Sequence, residues 1–380
     1  MTQSMIGAYG DWAAGLVGEG PASLSFRRPE WSDVEKWRPV ARRRALECLA
    51  MPDTGGTPTA TVVRTSIFDG LHVEELTWQL PYGPATEAIL LKPADAVGPL
   101  PGVLAFHCHG GQKVFGKEKI AQPGPERHPV LADHHERYYG GVAWANQLAK
   151  RGYVVLIPDA FAFGSRRVRI ADLPPSIRPD LRDDDRTPEG VAAYNQWAGG
   201  HESIMAKSLL CAGTTWAGVF IADDRAALDV LCARPDVDAT RIGCGGLSGG
   251  GLRTVYQAGL DERIRCAVCV GMMTTWRDYL LNKSVNHTWM IYIPHLTPAL
   301  DYPEILGLRA PRPTLVLNDI HDELFTLPEM ERADRMLAEV YAKADASDRY
   351  RCSFYPGPHK FDLPMQAEAF DWFDRWLKDA

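Results

Sequence analysis

The chain has 380 residues, 46% of them hydrophobic and 23% charged, with a formal net charge of −7. Such a balance belongs to a globular protein whose core needs no disulfide or metal staple, and it argues against nucleic acid as the main partner. No stretch approaches the roughly 18 apolar residues of a membrane span, and the first twenty residues lack a basic leader, so a cytoplasmic chain with no membrane partner is expected.

Residues 1–60 are rich in Trp and Arg, and VEKWRPVARRRALECLA reads as helical; they predict an N-terminal helical extension ahead of a main domain over 61–380. LHVEELTWQL and TEAILLKPA, separated by PYGP, predict an antiparallel pair of strands. Strands and helices then alternate. PGVLAFHCH reads as a buried strand, VAWANQLAKRG as a helix ending at Gly152, and YVVLIPD as the next strand. A long helix is expected from about Ser208 to Arg234, where Pro235 stops it.

RIGCGG, IRCAVCVG, PTLVLND and RCSFYPG continue as strands, and GGLRTVYQAGL, PEMERADRMLAEVYAKA and MQAEAFDWFDRWLKDA as helices. This order predicts an α/β fold with a mostly parallel central sheet and helices on both faces. Three stretches, 112–140, 166–207 and 272–308, interrupt the alternation and are expected as lid-like insertions. Each follows the carboxyl end of a strand, where open α/β sheets place their ligands. Cys266 and Cys269 are three apart on one strand, hence on opposite faces, and read as buried hydrophobes rather than as a metal pair.

Gly246-Leu247-Ser248-Gly249-Gly250 satisfies G-x-S-x-G between a predicted strand and a predicted helix. A serine lifted above a sheet by such a turn needs neighbours without side chains, which explains the glycines. A serine hydroxyl is a weak nucleophile at neutral pH and requires a base. Of eleven histidines, His359 in YPGPHKF lies in the loop after the last strand and is the best placed. The acid that orients it is expected in NDIHDE: Asp322, a few residues into the loop, is preferred to Asp319, which sits at the strand end and too low in the sheet. Two N–H donors are also needed for a developing oxyanion. Gly249, directly after the serine, supplies one; Gly111 in HCHGGQ is assigned the other, with Gln112 as its neighbour. His107 and His109 alternate along the same predicted strand, but no third metal ligand accompanies them.

With FHCHGG, IPDAFAFGSR, RIGCGGLSGG, VGMMTTW, PTLVLNDIHDELF and YPGPHKF in place, the chain resembles the α/β-hydrolase superfamily over about residues 60–380. More narrowly it is similar to dienelactone hydrolase-like and acetyl xylan esterase-like serine esterases. The resemblance implies an α/β-hydrolase fold and a serine hydrolase using Ser248, Asp322 and His359, with no metal or organic cofactor. Its expected substrate is a small-molecule carboxylic ester, with a small acyl or acetyl group and a carbohydrate partner among the options. A lactone, C–C or peptide bond is the alternative on the same residues, and a non-catalytic binding protein the reading from another class. The long extension and the insertions depart from the plainest members, and they are where specificity would lie. Their aromatic residues (Tyr138, Tyr139, Trp197, Trp276, Trp289, Tyr292) suit either a pocket wall or lid packing. Arg166, Arg167, Arg169 and Lys113 suit either a substrate carboxylate or surface charge. The Trp-rich extension covers either its own domain or a neighbouring subunit, which leaves a homo-oligomer open.

Overall fold

The structure is a computed structural model that describes residues 4–378. Nine strands form its central sheet: β1 (Thr61–Phe68), β2 (Leu71–Trp78), β3 (Thr86–Pro93), β4 (Leu100–Phe106), β5 (Val154–Pro158), β6 (Val237–Leu247), β7 (Ile264–Val270), β8 (Thr314–Asp319) and β9 (Tyr350–Tyr355). Their order is β1-β2-β3-β5-β4-β6-β7-β8-β9. The first three are antiparallel to their neighbours, and β5 through β9 run parallel. Strands β5 and β8 are buried along their whole length, which is why VVLIP and TLVLND read as continuous runs rather than alternations.

The helices are α1 (Gly10–Val17), α2 (Val34–Leu49), α3 (Pro129–Tyr139), α4 (Trp144–Lys150), α5 (Pro188–Cys211), α6 (Trp216–Cys232), α7 (Gly249–Leu260), α8 (Trp276–Asp278), α9 (Tyr302–Gly307), α10 (Leu327–Lys343) and α11 (Leu363–Leu377). On one face of the sheet α4 and α11 pack through Trp144, Leu148, Phe370 and Phe373. On the other, α6, α7 and α10 pack through Phe220, Tyr256 and Leu337, and α2 joins the same core with Trp37, Ala41 and Leu49. Arg38 of α2 reaches the Leu308 carbonyl at 2.9 Å, tying the helix to the main fold. Cys266 and Cys269 fall in the cores on opposite faces, as their spacing requires.

Four expectations are revised. The helix expected over 208–234 is two helices, α5 and α6, meeting at 84°. Gly213 between them takes a left-handed φ of +81°, and Thr215 caps the second helix by accepting the Gly218 N–H at 2.9 Å. Consequently the stretch 166–207, expected as an irregular insertion, contains most of the 24-residue α5. A strand, β1, precedes the predicted hairpin; its outer-edge position leaves Val62, Val63 and Ile67 exposed, so it lacks the alternation of a half-buried strand. Finally, β4 ends at Phe106, so His107 and His109 lie in a loop and not on one strand face. The last helix ends at Leu377; the expected continuation over Asp379 and Ala380 lies outside the described residues. Among the described residues no single helix is long and apolar enough to cross a membrane.

Candidate active site

Ser248 lies between the end of β6 and the start of α7 with φ 59° and ψ −118°. A non-glycine residue holds such a conformation at a cost on the order of 1–3 kcal/mol, and only where its surroundings impose it. Here the imposition is steric and local. The first turn of α7 presses onto the end of β4, where a Cβ on Gly246 or Gly250 would come within 2.3 Å and 2.2 Å of the Phe106 carbonyl oxygen. The Ser248 N–H is anchored on the Val270 carbonyl at 2.9 Å. Its side chain makes no capping bond to α7, leaving the hydroxyl directed at the cleft.

His359 sits between β9 and α11. Its Nδ1–H donates to the Asp322 carboxylate at 2.6 Å, and the other Asp322 oxygen accepts the Leu324 N–H at 2.9 Å. Asp322 is therefore held by the chain and holds the ring in turn. Nε2 of His359 is buried and has no hydrogen-bond partner among the described residues. The ring packs over Gly271 at the end of β7, where φ is +55° and a Cβ would stand 3.0 Å from Cε1 of the imidazole. Tyr138 approaches edge-on at 6.3 Å.

Asp319, the last residue of β8, is turned elsewhere. Its carboxyl accepts the Lys360 N–H at 3.0 Å, its other oxygen is buried without a partner, and burial pushes its pKa up to about 7. The ligand-type atoms of Asp319, Asp322 and His359 lie within 4.8 Å of one another, and within this group the His359–Asp322 contact is a direct hydrogen bond.

The loop after β4 departs from the expectation for Gly111. The Gly111 N–H donates to Nδ1 of His109 at 3.1 Å and is thereby occupied. The amide of His109 instead lies beside the first residue of α7. A Cβ on Gly249 would lie 2.8 Å from the His109 nitrogen, and that N–H has no acceptor among the described residues. Gly249, as the first residue of α7, carries an N–H with no intrahelical partner. Gln112 turns its amide N–H back onto the His109 carbonyl at 3.1 Å, so it too is committed.

Ser248, Gly249, His109 and His359 line one cleft of about 250 Å³. Its walls are mostly apolar: Leu247, Leu252, Met272, Met290, Ile291, Leu324 and Phe325. The 272–308 insertion supplies much of the wall, including Asn286, His287 and Thr288, whereas the 112–140 insertion contributes Tyr138 alone. The other aromatic residues named from the sequence lie elsewhere. Tyr139 and Trp276 are buried, Trp197 stacks on His201, and Trp289 and Tyr292 border a separate groove.

Arg166 is buried against Asp223 at 3.0 Å and Lys113 against Glu202 at 2.6 Å, so each already has its carboxylate. His107 bonds the Cys108 carbonyl at 3.1 Å, and His109 spans Gly111 and Glu202. Glu202 could not be found from the sequence, because it reaches His109 from 93 residues away on a helix expected to be a loop.

No protein-family model matches the chain. Over 308 residues, 80% of this chain and 88% of its relative, it is 31% identical to the Bacillus subtilis (strain 168) protein named "Putative hydrolase YtaP". Among solved structures it superposes on the Bacteroides fragilis protein named "a putative acetyl xylan esterase" with a TM-score of 0.68 at 17% identity, covering 90% of this chain and 81% of that one. A glucuronoyl esterase from Solibacter usitatus superposes with a TM-score of 0.63 at 16% identity, over 94% and 97% of the two chains. At those identities the structures speak to the fold alone. The chain has the α/β-hydrolase fold and belongs to the family of the Bacillus subtilis protein YtaP.

Proposed function

We propose that the protein is a serine esterase that hydrolyses carboxylic esters of small, uncharged acids through an acyl-enzyme. The observation that carries the reading is a single cleft in which Ser248 stands at a strained strand-to-helix turn and His359 is hydrogen-bonded to Asp322 at 2.6 Å with its Nε2 unpartnered. In the proposed reaction Nε2 takes the Ser248 proton as Oγ attacks the ester carbonyl. Asp322 keeps the proton of His359 on Nδ1 and stabilises the imidazolium that forms. The N–H groups of Gly249 and His109 receive the oxyanion, His359 returns its proton to the leaving alcohol, and a water activated by the same nitrogen releases the acid.

An acyl group of a few carbons suits the walls formed by Leu252, Met272, Met290, Ile291 and Phe325. No Lys or Arg lines the cleft, which favours a neutral acyl group over a dicarboxylate. An ester rather than a peptide is further supported by the names of the superposed proteins, an acetyl xylan esterase, a methylesterase and glucuronoyl esterases, which also keep a carbohydrate-linked alcohol in view. The test is hydrolysis of acetyl and butyryl aryl esters by wild type and Ser248→Ala. Loss of at least about 10³-fold in kcat is expected in the variant, and undiminished hydrolysis would remove Ser248 from the mechanism.

A further inference from the structure

We infer that Glu202 is a positioning residue for the oxyanion site, acting through the His109 ring to hold the His109 amide beside that of Gly249. The inference rests on the serine-esterase reading above. Glu202 lies on α5, which contributes no strand and no lining residue to the cleft. Its Oε1 accepts from Nε2 of His109 at 3.1 Å and stands 2.6 Å from the Lys113 ammonium, while Oε2 faces the Trp289 N–H at 3.4 Å.

The ring of His109 is consequently locked at both nitrogens. Because the Gly111 N–H donates to Nδ1, that atom is the acceptor, and the proton resides on Nε2, where Glu202 receives it. Phe163 closes the third side edge-on, with ring centres 5.3 Å apart. Burial, aided by Lys113, pushes His109 down to about 4, so it is neutral at working pH and no proton shuttle. Burial opposes the charge on Glu202, yet the His109 hydrogen bond and Lys113 hold it down at about 2, so the carboxylate is ionised throughout.

The same loop is clamped on its carbonyl side. The Lys119 ammonium donates to the carbonyl oxygens of His109 and Gln112 at 3.2 Å and 3.0 Å. With the His109 carbonyl, its ring and the Gly111 N–H all engaged, the N–H groups of His109 and Gly110 have no acceptor among the described residues, and that of His109 abuts Gly249. A hydrogen bond from an insertion helix thus sets the orientation of a backbone amide at the reacting centre. The weaker contact to Trp289 joins that helix to the insertion that walls the acyl pocket.

Glu202 also neutralises the buried Lys113, and the experiment separates the two roles. Three variants are compared with wild type: Glu202→Gln, Glu202→Ala, and the double variant Glu202→Leu with Lys113→Met, which removes both charges. Each is assayed for kcat and KM on an acetyl aryl ester, for affinity toward a trifluoromethyl ketone that forms a hemiketal oxyanion on Ser248, and for the rate of fluorophosphonate labelling. Glu202→Ala is expected to lose about 30- to 100-fold in kcat with KM within about threefold, and to lose ketone affinity in proportion. Glu202→Gln, which keeps an acceptor for Nε2–H, is expected to lose less than about tenfold. The double variant should melt near wild type and keep the reduced kcat. Restored kcat in the double variant would reduce Glu202 to a counter-ion for Lys113 and overturn the inference. So would a kcat in Glu202→Gln and Glu202→Ala within about threefold of wild type. Wild type that fails to label at Ser248 overturns the serine reading and this inference together, whereas labelling at equal rates in wild type and Glu202→Ala overturns this inference alone.

Discussion

Gly271→Ala tests whether the position of the His359 ring limits catalysis. Gly271 ends β7 with φ +55°, and its missing side chain is the floor on which the imidazole rests. A Cβ there would stand 3.0 Å from Cε1 and 3.2 Å from Nδ1 of His359, and 2.9 Å from Cδ1 of Leu247. Contacts between such atoms settle at about 3.5 Å. Leu247 can turn its terminal methyl away. The ring cannot, because Nδ1 is tethered to Asp322 at 2.6 Å. It must therefore retreat by roughly half an ångström, lengthening that hydrogen bond and moving Nε2 relative to Ser248.

A misplacement of about 1 Å costs on the order of 10²-fold, so about half of that is expected to lower kcat by about tenfold, or about 1.4 kcal/mol in the barrier. KM, set by the apolar walls, should stay within about twofold. The left-handed backbone adds about 1–2 kcal/mol of destabilisation. Steady-state kinetics on an acetyl aryl ester, with a thermal melt of the same preparation, measure both effects. A lower melting temperature with an unchanged kcat would mean that the ring accommodates the methyl without leaving its catalytic position, and that its placement over Gly271 does not limit the reaction.

Asp322→Asn should lower kcat by about 10³- to 10⁴-fold, because an amide no longer enforces the Nδ1–H tautomer, whereas Asp319→Asn should stay within about fivefold in the same assay. The folded-state pKa of Asp319 is raised, so its contribution to stability is present below the unfolded value near 4 and is lost as pH rises through about 7. Asp319→Asn should therefore flatten the pH dependence of the melting temperature between pH 4 and 7 and be more stable than wild type at pH 8 by about 1–2 kcal/mol; a parallel pH profile would contradict this. Met290→Phe narrows the acyl cleft and should lower kcat/KM for butyryl esters by about tenfold more than for acetyl esters, read from competition between the two. Gly250→Ala drives a Cβ to 2.2 Å from the Phe106 carbonyl, a backbone atom that cannot turn aside, so soluble yield and melting temperature should fall together.

Much of the architecture is local in origin and was legible residue by residue. Parallel strands buried on both faces must be continuous apolar runs, and β4 and β5 read that way. A serine between a strand and a helix, flanked by glycines, specifies its own turn, because the contacts that require Gly246 and Gly250 arise wherever that turn is made. Asp322 and His359 follow consecutive strands, β8 and β9, and the topology brings those strand ends to one edge, where the two side chains meet.

What could not be read depends on contacts made at a distance. An outer-edge strand buries no face, so β1 carries no periodic signal. The chain turns by 84° between α5 and α6 because Gly213 and the Thr215 cap outweigh two helical sequences that would each continue. Which of Asp322 and Asp319 bonds His359 depends on the direction of two side chains three residues apart, Asp322 meeting the imidazole and Asp319 the Lys360 N–H. Gly111 and His109 are neighbours in one loop. That the Gly111 N–H is occupied depends on a histidine ring pinned by Glu202 from a helix 93 residues away, and no pattern within the loop encodes that contact.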